Sequence, residues 1–282
     1  MLHASRVSCY PARKQYEHSF IGVLPMILIT NDDGVYSPGI QMLAKRLREL
    51  DSVAIVAPDR ERSAAGHSMT LHRPLLIEEL KDSMFSVNGT PTDCVNIAVK
   101  GLLKETPRLV VSGINKGPNL GDDVTYSGTV AGAIEGLLLG IPSFAISLAA
   151  REDFRFAEAA EVALRTAKRI FDEGLPGGTL LNINVPNLPM DGIQGTLITR
   201  LGKRIYHQMT VERVDPRGKK YYWIGGGEPD WEREEGTDLD AVDRNFVSVT
   251  PLHLDMTDYA SFDRLRSLES MSFEAPPRRS AE

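Results

Sequence analysis

Two cysteines, Cys9 and Cys94, are all that the 282 residues contain, so the multi-bridge framework of a small secreted domain is excluded. Cys94 falls where a helix is expected and reads as a small core residue, not a nucleophile. No apolar run approaches the ~20 residues of a membrane span. The first 25 residues carry Arg6, Arg13, Lys14 and His18, without the unbroken apolar stretch of about 7–15 residues that marks a signal peptide. They read as a disordered or non-native extension upstream of Met26, and a cytoplasmic protein is the expectation. Positive charge is also short: 32 basic residues against 38 acidic ones leave a formal charge of −6. That excludes the basic footprint of a general nucleic-acid duplex binder but not a local site for a small anion. No G-x-G-x-x-G follows the first strand-like segment and no G-x-x-x-x-G-K-[ST] occurs, so dinucleotide and P-loop binding lack their signatures. His67 and His72 stand five apart, outside the spacing of a helical metal pair; His67 remains a candidate for touching a substrate.

What is present is an alternation of strand and helix signals. "MILIT" (26–30) is a buried strand, and Ser37-Pro38 then supplies an N-cap and a first-turn proline. Ile40, Leu43, Leu47 and Leu50 repeat at helical spacing. "VAIVAP" (53–58) is a second strand, and residues 68–88 read as a less regular hairpin. Thr90-Pro91-Thr92-Asp93 opens another helix with a capping pattern. "RLVVSGI" (108–114), "SFAISL" (143–148) and "TLLNINVP" (179–186) are further apolar strands, separated by helices expected over 128–139 and 152–173. Strands rich in Val, Ile and Leu with helices between them predict a parallel sheet covered on both faces. The expected fold is therefore α/β: a doubly wound, Rossmann-like, mostly parallel sheet over residues 26–190. A C-terminal β-hairpin and helix arm over 191–282 serves oligomerisation. In the arm, "DPRG" (215–218) turns between two extended segments, and 256–270 is a last helix. "APPRRSAE" (275–282) is expected to be disordered.

Each predicted strand of the first half runs into polar chemistry at its carboxyl end, where open α/β sheets bind ligands. Asn31-Asp32-Asp33-Gly34 follows the first, Asp59-Arg60-Glu61-Arg62-Ser63 the second, and Asn115, Lys116, Asn119 and Asp122-Asp123 follow "RLVVSGI". Strands disfavour Asp and adjacent carboxylates repel, so Asp32-Asp33 calls for something to offset that cost. The oxygen-rich set, with no cysteine or paired histidine, suits Mg²⁺ or Mn²⁺ and not zinc. Ser127-Gly128-Thr129 opens a helix rich in small residues, a place where free N–H groups and the helix dipole receive phosphate. Asp122 and Asp123 read as solvated loop residues. Adjacent Asp-Asp also differs from the D-x-D of covalent aspartyl-phosphate enzymes.

"ILITNDDGVYSPGI", "VAPDRERSAAGHSMT", "VNGTPTDCVNIAV", "VVSGINKGPNLGDDVTYSGTVAGAIEG" and "LLNINVPN" together resemble the SurE family of stationary-phase survival nucleotidases. The resemblance covers residues 26–190 closely and the arm more loosely, and leaves 1–25 unmatched. It implies a divalent-metal-dependent phosphomonoesterase that hydrolyses nucleoside 5′- and 3′-monophosphates, with action on short polyphosphate. By motif it implies one Mg²⁺ or Mn²⁺ held by Asp32, Asp33, Ser63 and Asn115, and substrate contacts from Ser127, Gly128, Thr129 and Asn119. Asp33 is the residue assigned to orient the attacking water. Exchanged C-terminal arms imply a homodimer or homotetramer. A reading from another class is a non-catalytic, metal-dependent nucleotide sensor that uses the same pocket.

Overall fold

The computed structural model of the chain describes residues 26–271 apart from 82, 206–209, 225–229 and 233. The expected extension at 1–25 and the tail "APPRRSAE" lie outside the described residues. From the start the elements alternate as read: β1 (Met26–Thr30), α1 (Pro38–Leu47), β2 (Ser52–Pro58), β3 (Ile77–Lys81), β4 (Met84–Val87), α2 (Pro91–Ile97), β5 (Leu109–Lys116), α3 (Gly128–Leu138), β6 (Ser143–Ala149), α4 (Phe156–Glu173) and β7 (Thr179–Pro186). The later elements are β8 (Gly195–Ile198), β9 (Arg204–Ile205), β10 (Thr210–Val214), β11 (Lys220–Ile224), β12 (Asp230–Trp231), α5 (Asp238–Asp243), β13 (Phe246–His253) and α6 (Phe262–Leu265).

Among the described residues, nine strands form one sheet in the order β3-β4-β2-β1-β5-β6-β7-β13-β8. The block β4-β2-β1-β5-β6-β7 is parallel. Alternate strand residues serve opposite faces. Ile27, Ile29, Ile55, Val111 and Ile146 meet α1 and α4, while Leu28, Val56 and Val110 meet α2 on the other side. Ala145 and Leu180 meet α3 on that same side. Each fully buried aliphatic side chain contributes ~1.5–3 kcal/mol, which explains why β1 carries no polar residue before Thr30 and β2 none after Ser52.

The helix starts follow the local chemistry. Asp93 N–H donates to Thr90 Oγ1 at 3.1 Å and Thr90 N–H to Asp93 Oδ2 at 2.9 Å, the reciprocal capping pair of α2. Ser37 precedes Pro38 at the start of α1 without capping it; its hydroxyl accepts Asn31 Nδ2–H at 2.8 Å. The expected hairpin over 68–88 is the antiparallel β3–β4 pair, and Cys94 is a buried residue of α2.

Residue 190 is not where the sheet ends. β13 enters between β7, to which it is antiparallel, and β8, to which it is parallel. Its Val247 and Val249 face the α1–α4 side. Ser248 and Thr250, on the opposite side, meet the hydroxyl of Thr199 at 2.8 and 2.7 Å. The arm expected beyond the core is narrower than the sequence suggests: β10 and β11 pair as an antiparallel hairpin, closed by Asp215, whose Oδ1 accepts the N–H of Arg217 and of Lys219 at 2.8 Å. The last helix expected over 256–270 is broken into a turn at Tyr259–Ser261, the short α6, and a second turn at Arg266–Ser270.

Candidate active site

β1 lies between β2 and β5. From β1 the chain builds outward through β2 and β4, then crosses back to start β5 on the other side. That reversal is the switch point at which open α/β sheets bind ligands, and both carboxylates of the "NDDG" turn stand on it.

Asp32 is buried at 6 % exposure. Its Oδ1 accepts the hydroxyl of Thr129, and its carboxylate packs so closely on α3 that a Cβ on Gly128 would lie 2.8 Å from Asp32 Oδ2. Burial raises its pKa to about 6, against the Thr129 hydrogen bond and reinforced by the charge of Asp33. Asp33 is half-buried; Lys116 N–H donates to its Oδ2 at 3.1 Å. Burial raises its pKa too, with the neighbouring Glu61 charge adding to the effect and Lys116 opposing it. The preceding Asn31 holds the turn, donating to Gly34 O at 3.0 Å as well as to Ser37.

The other expected ligands approach from neighbouring segments. Asn115 sits at the end of β5, beside the Lys116 that binds Asp33. Its Nδ2–H is engaged with Gly117 O at 2.9 Å, so the amide oxygen is the atom it offers a cation. The Ser63 loop is tied to the turn by Arg62 N–H donating to Asp32 O at 2.7 Å. Ser63 Oγ itself donates to Glu61 Oε1 at 2.6 Å, so a cation placed there would meet its lone pairs. Two desolvated carboxylates, an amide oxygen and a hydroxyl make a hard, all-oxygen donor set that fits Mg²⁺ or Mn²⁺. No group of three or more His, Cys, Asp and Glu suited to a metal occurs among the described residues; the set named above has two carboxylates only.

The residues expected at the phosphate are arranged around Asp32. Ser127 caps α3, accepting Val130 N–H at 3.0 Å, and Thr129 is buried against Asp32. The positive end of an eleven-residue helix therefore faces the carboxylate of Asp32. Asn119, expected at the substrate, lies in the loop that follows β5. It is buried at 7 % exposure: its Nδ2–H donates to Ser147 Oγ at 2.7 Å, and Asn184 Oδ1 accepts its backbone N–H at 2.8 Å. Asn182 and Asn184 donate to its carbonyl at 2.8 and 2.9 Å. Asn119 thus anchors the 117–127 loop over β6 and β7. Asp122 and Asp123 are not merely solvated, since Arg204 pairs with Asp123 and its N–H donates to Asp122 Oδ2 at 3.3 Å. Asp238, fully buried, accepts the N–H of Gly121 and of Gly202 at 2.8 Å, fastening the same loop to the C-terminal segment.

Sequence reasoning named Glu61 with the segment after β2 but did not set it against Asp33, and it missed the pairing beneath the Ser63 loop. His67 Nε2 lies 3.0 Å from Glu135 Oε2, and Asn96 Nδ2–H donates to Glu135 Oε1 at 2.8 Å. A single acid on the glycine- and alanine-rich face of α3 was the signal that could have found it. His67 therefore holds its loop against α3, and Tyr36 and Tyr126 stand exposed beside the two acidic segments.

The profile of the family described as Survival protein SurE matches residues 27–208. The chain is similar to the 5′-nucleotidase SurE of Pelobacter propionicus, with 56% identity over 236 residues, 83% of this chain and 96% of that protein. It is similar to the protein of that name from Geobacter sulfurreducens, 54% identical over 242 residues that cover 86% and 92% of the two chains. It resembles the crystal structure of the SurE protein from Aquifex aeolicus at a TM-score of 0.80 and 48% identity, covering 87% of this chain and all of that one (100%).

Proposed function

The chain belongs to the SurE family, and from that premise we propose that it is a 5′-nucleotidase, a phosphoric monoester hydrolase that converts nucleoside 5′-monophosphates to nucleoside and phosphate. The observation that carries this reading is the pair Asp32 and Asp33, both desolvated and both raised in pKa, at the sheet's switch point, with Asp32 against the positive end of α3. A site of that kind is built for an ion and an anion together. The proposal extends to 3′-monophosphates and short polyphosphate as substrates of the same site, to dependence on one Mg²⁺ or Mn²⁺, and to a homodimer or homotetramer.

Asp32, Asp33, Ser63 and Asn115 would hold the cation. When bound, a divalent cation supplies charge neutralisation at phosphoryl oxygens and makes water more acidic. Asp33 keeps one oxygen on Lys116 N–H and turns the other toward the attacking water, whose proton it accepts. The water oxygen bonds to phosphorus, the bond from phosphorus to the nucleoside oxygen breaks, and that oxygen is protonated by solvent. Ser127 and Thr129 keep the first turn of α3 in place, so its dipole and backbone donors face the charge that develops on the phosphoryl oxygens. Asn119 and Asp238 hold the loop that leads into that turn.

The test is release of inorganic phosphate from AMP and GMP, with EDTA and after restoring Mn²⁺ or Mg²⁺. Turnover that stops in EDTA and returns with either ion is expected. Tight, metal-dependent nucleotide binding with no phosphate released would make the protein a sensor, and full turnover in EDTA would remove the metal from the account.

A further inference from the structure

At the carboxyl end of β6, in the same sheet as the paired aspartates, lies a cleft of about 580 Å³ lined by none of the residues assigned to the phosphate chemistry. Its volume falls within the few hundred to ~1,000 Å³ of small-molecule sites. We propose that this cleft seats the base of the nucleotide substrate; the inference rests on the nucleotidase reading of the neighbouring site and names where the rest of the substrate goes. Its walls are Pro118 and Leu120 from the loop after β5, Ala150 after β6, Trp231, and Leu239 and Val242 of α5. Apolar and aromatic walls suit a flat heteroaromatic ring.

Position supports the same assignment. The cleft opens at the carboxyl end of β6, through Ala149 and Ala150, and β6 is separated from β1 by β5 alone. Neighbouring strands lie ~4.8 Å apart, so the offset from the aspartate pair is roughly 10 Å along the sheet edge. A ribose bridges an interval of that order. Pro118 is also three residues beyond the proposed ligand Asn115, so one loop touches both ends of the substrate.

Charge fixes the orientation. Asp123 and Asp243 line the cleft, with Arg151 as its only basic lining residue. Asp123 and Asp243 offer acceptors to the exocyclic amino groups of a base, whereas the helix start and the cation proposed at Asp32 and Asp33 suit the phosphate. The phosphate end therefore belongs at α3 and the base end in the cleft. The Trp231 ring is placed with care: Arg204, paired with Asp123, lies over it at 5.7 Å. Gly121 adopts φ +52, and a Cβ there would meet Gly202 O at 2.6 Å and the Trp231 ring at 3.0 Å. The indole thus rests against loop backbone that only glycine allows so close.

The test compares kcat/KM for AMP and for ribose 5-phosphate, which lacks the base, in wild type, Trp231→Ala and Val242→Trp. The preference for AMP should fall roughly 10-fold in both variants, mostly through KM, the loss expected for one base–aromatic stack. An unchanged preference in both, or a loss that instead follows Tyr36→Ala or Tyr126→Ala, would overturn the assignment. The chain has two tryptophans, so Trp223→Phe leaves Trp231 as sole reporter. Adenosine, which has no phosphate, should quench its fluorescence saturably, and absence of quenching overturns the cleft. Wild type that releases no phosphate from AMP refutes the nucleotidase reading alone, and the quenching titration then decides the cleft by itself.

Discussion

Asp32 and Asp33 differ in what the fold asks of them. Asp32 is enclosed by α3 and carries the larger burial, and Asp33 faces Lys116 and the loop of Glu61. Both titrate above the ordinary 3.8 of aspartate, Asp32 at about 6, and the sign of that shift has a consequence for the metal-free chain. A carboxyl raised in the folded state favours folding below its unfolded pKa, and that benefit is lost as pH rises through the folded value. In chelator, the stability difference between wild type and Asp32→Asn should therefore move against wild type between pH 4 and pH 7. Taking the difference cancels the titrating groups that do not interact with Asp32, and chemical denaturation at the two pH values reads it; a pH-independent difference would refute it. Asp33→Asn tests the pair differently. Relief of repulsion should leave that variant as stable as wild type in EDTA, or more stable. With saturating Mn²⁺ the order should invert, since wild type gains ~2.7 kcal/mol at a hundredfold excess over Kd and the weaker-binding variant gains less. Melting curves in both conditions decide it. A variant clearly less stable in EDTA would mean that the aspartates serve the fold and not an ion.

At the scale of elements, α3 is where the fold and the proposed chemistry meet. Alanine is normally the better helix residue by about 1 kcal/mol, yet a Cβ at Gly128 would press on Asp32 Cβ and Oδ2, both at 2.8 Å. Gly128→Ala should displace the helix start from the carboxylates and lower kcat by ~100-fold or more, the usual cost of misplacing a reacting group by an ångström. Gly101→Ala, where nothing lies within 4 Å, should leave turnover unchanged and stability neutral or slightly raised. Equal effects of the two would show that the close approach is irrelevant; steady-state kinetics and melting on both variants measure it. Starts such as Thr90-Pro91-Thr92-Asp93 were legible in the sequence because a cap is made by residues within one turn. The aspartate pair was legible because carboxylates at the end of a buried strand violate strand chemistry. The insertion of β13 was not, because its partners in β7 lie more than sixty residues earlier and no local pattern encodes them. The inward turn of Asn119 and the pairing of Glu135 with His67 were hidden for the same reason: tertiary packing, not spacing, decides which side chains are enclosed.

The whole molecule presents more apolar surface than its own fold covers. The β10–β11 hairpin forms a separate two-stranded sheet, and such a hairpin is marginal by itself in water. Yet Tyr222, Trp223 and Ile224 are 57, 64 and 84 % exposed. Further along, Tyr259, Phe262, Leu265, Leu268 and Met271 recur every third residue, all exposed. The turns at Tyr259–Ser261 and Arg266–Ser270 are of the 3₁₀ kind, in which residues three apart fall in one line, so these side chains make a stripe and not a scatter. Contiguous apolar patches of this sort mark contact surfaces, and a stable contact removes ~1,200–2,000 Å² of surface from water. A second copy of the chain is the occupant in keeping with the homodimer or homotetramer proposed above. Light scattering at micromolar concentration should give at least twice the 31.1 kDa of one chain. Replacing Trp223 and Ile224 together by glutamate should lower that mass, because two buried charges cannot be desolvated without partners. The nine-stranded sheet makes no use of either residue, so the double variant should keep the cooperative melting of the core. A monomeric mass for wild type, or a variant whose mass does not change, would assign the hairpin another role.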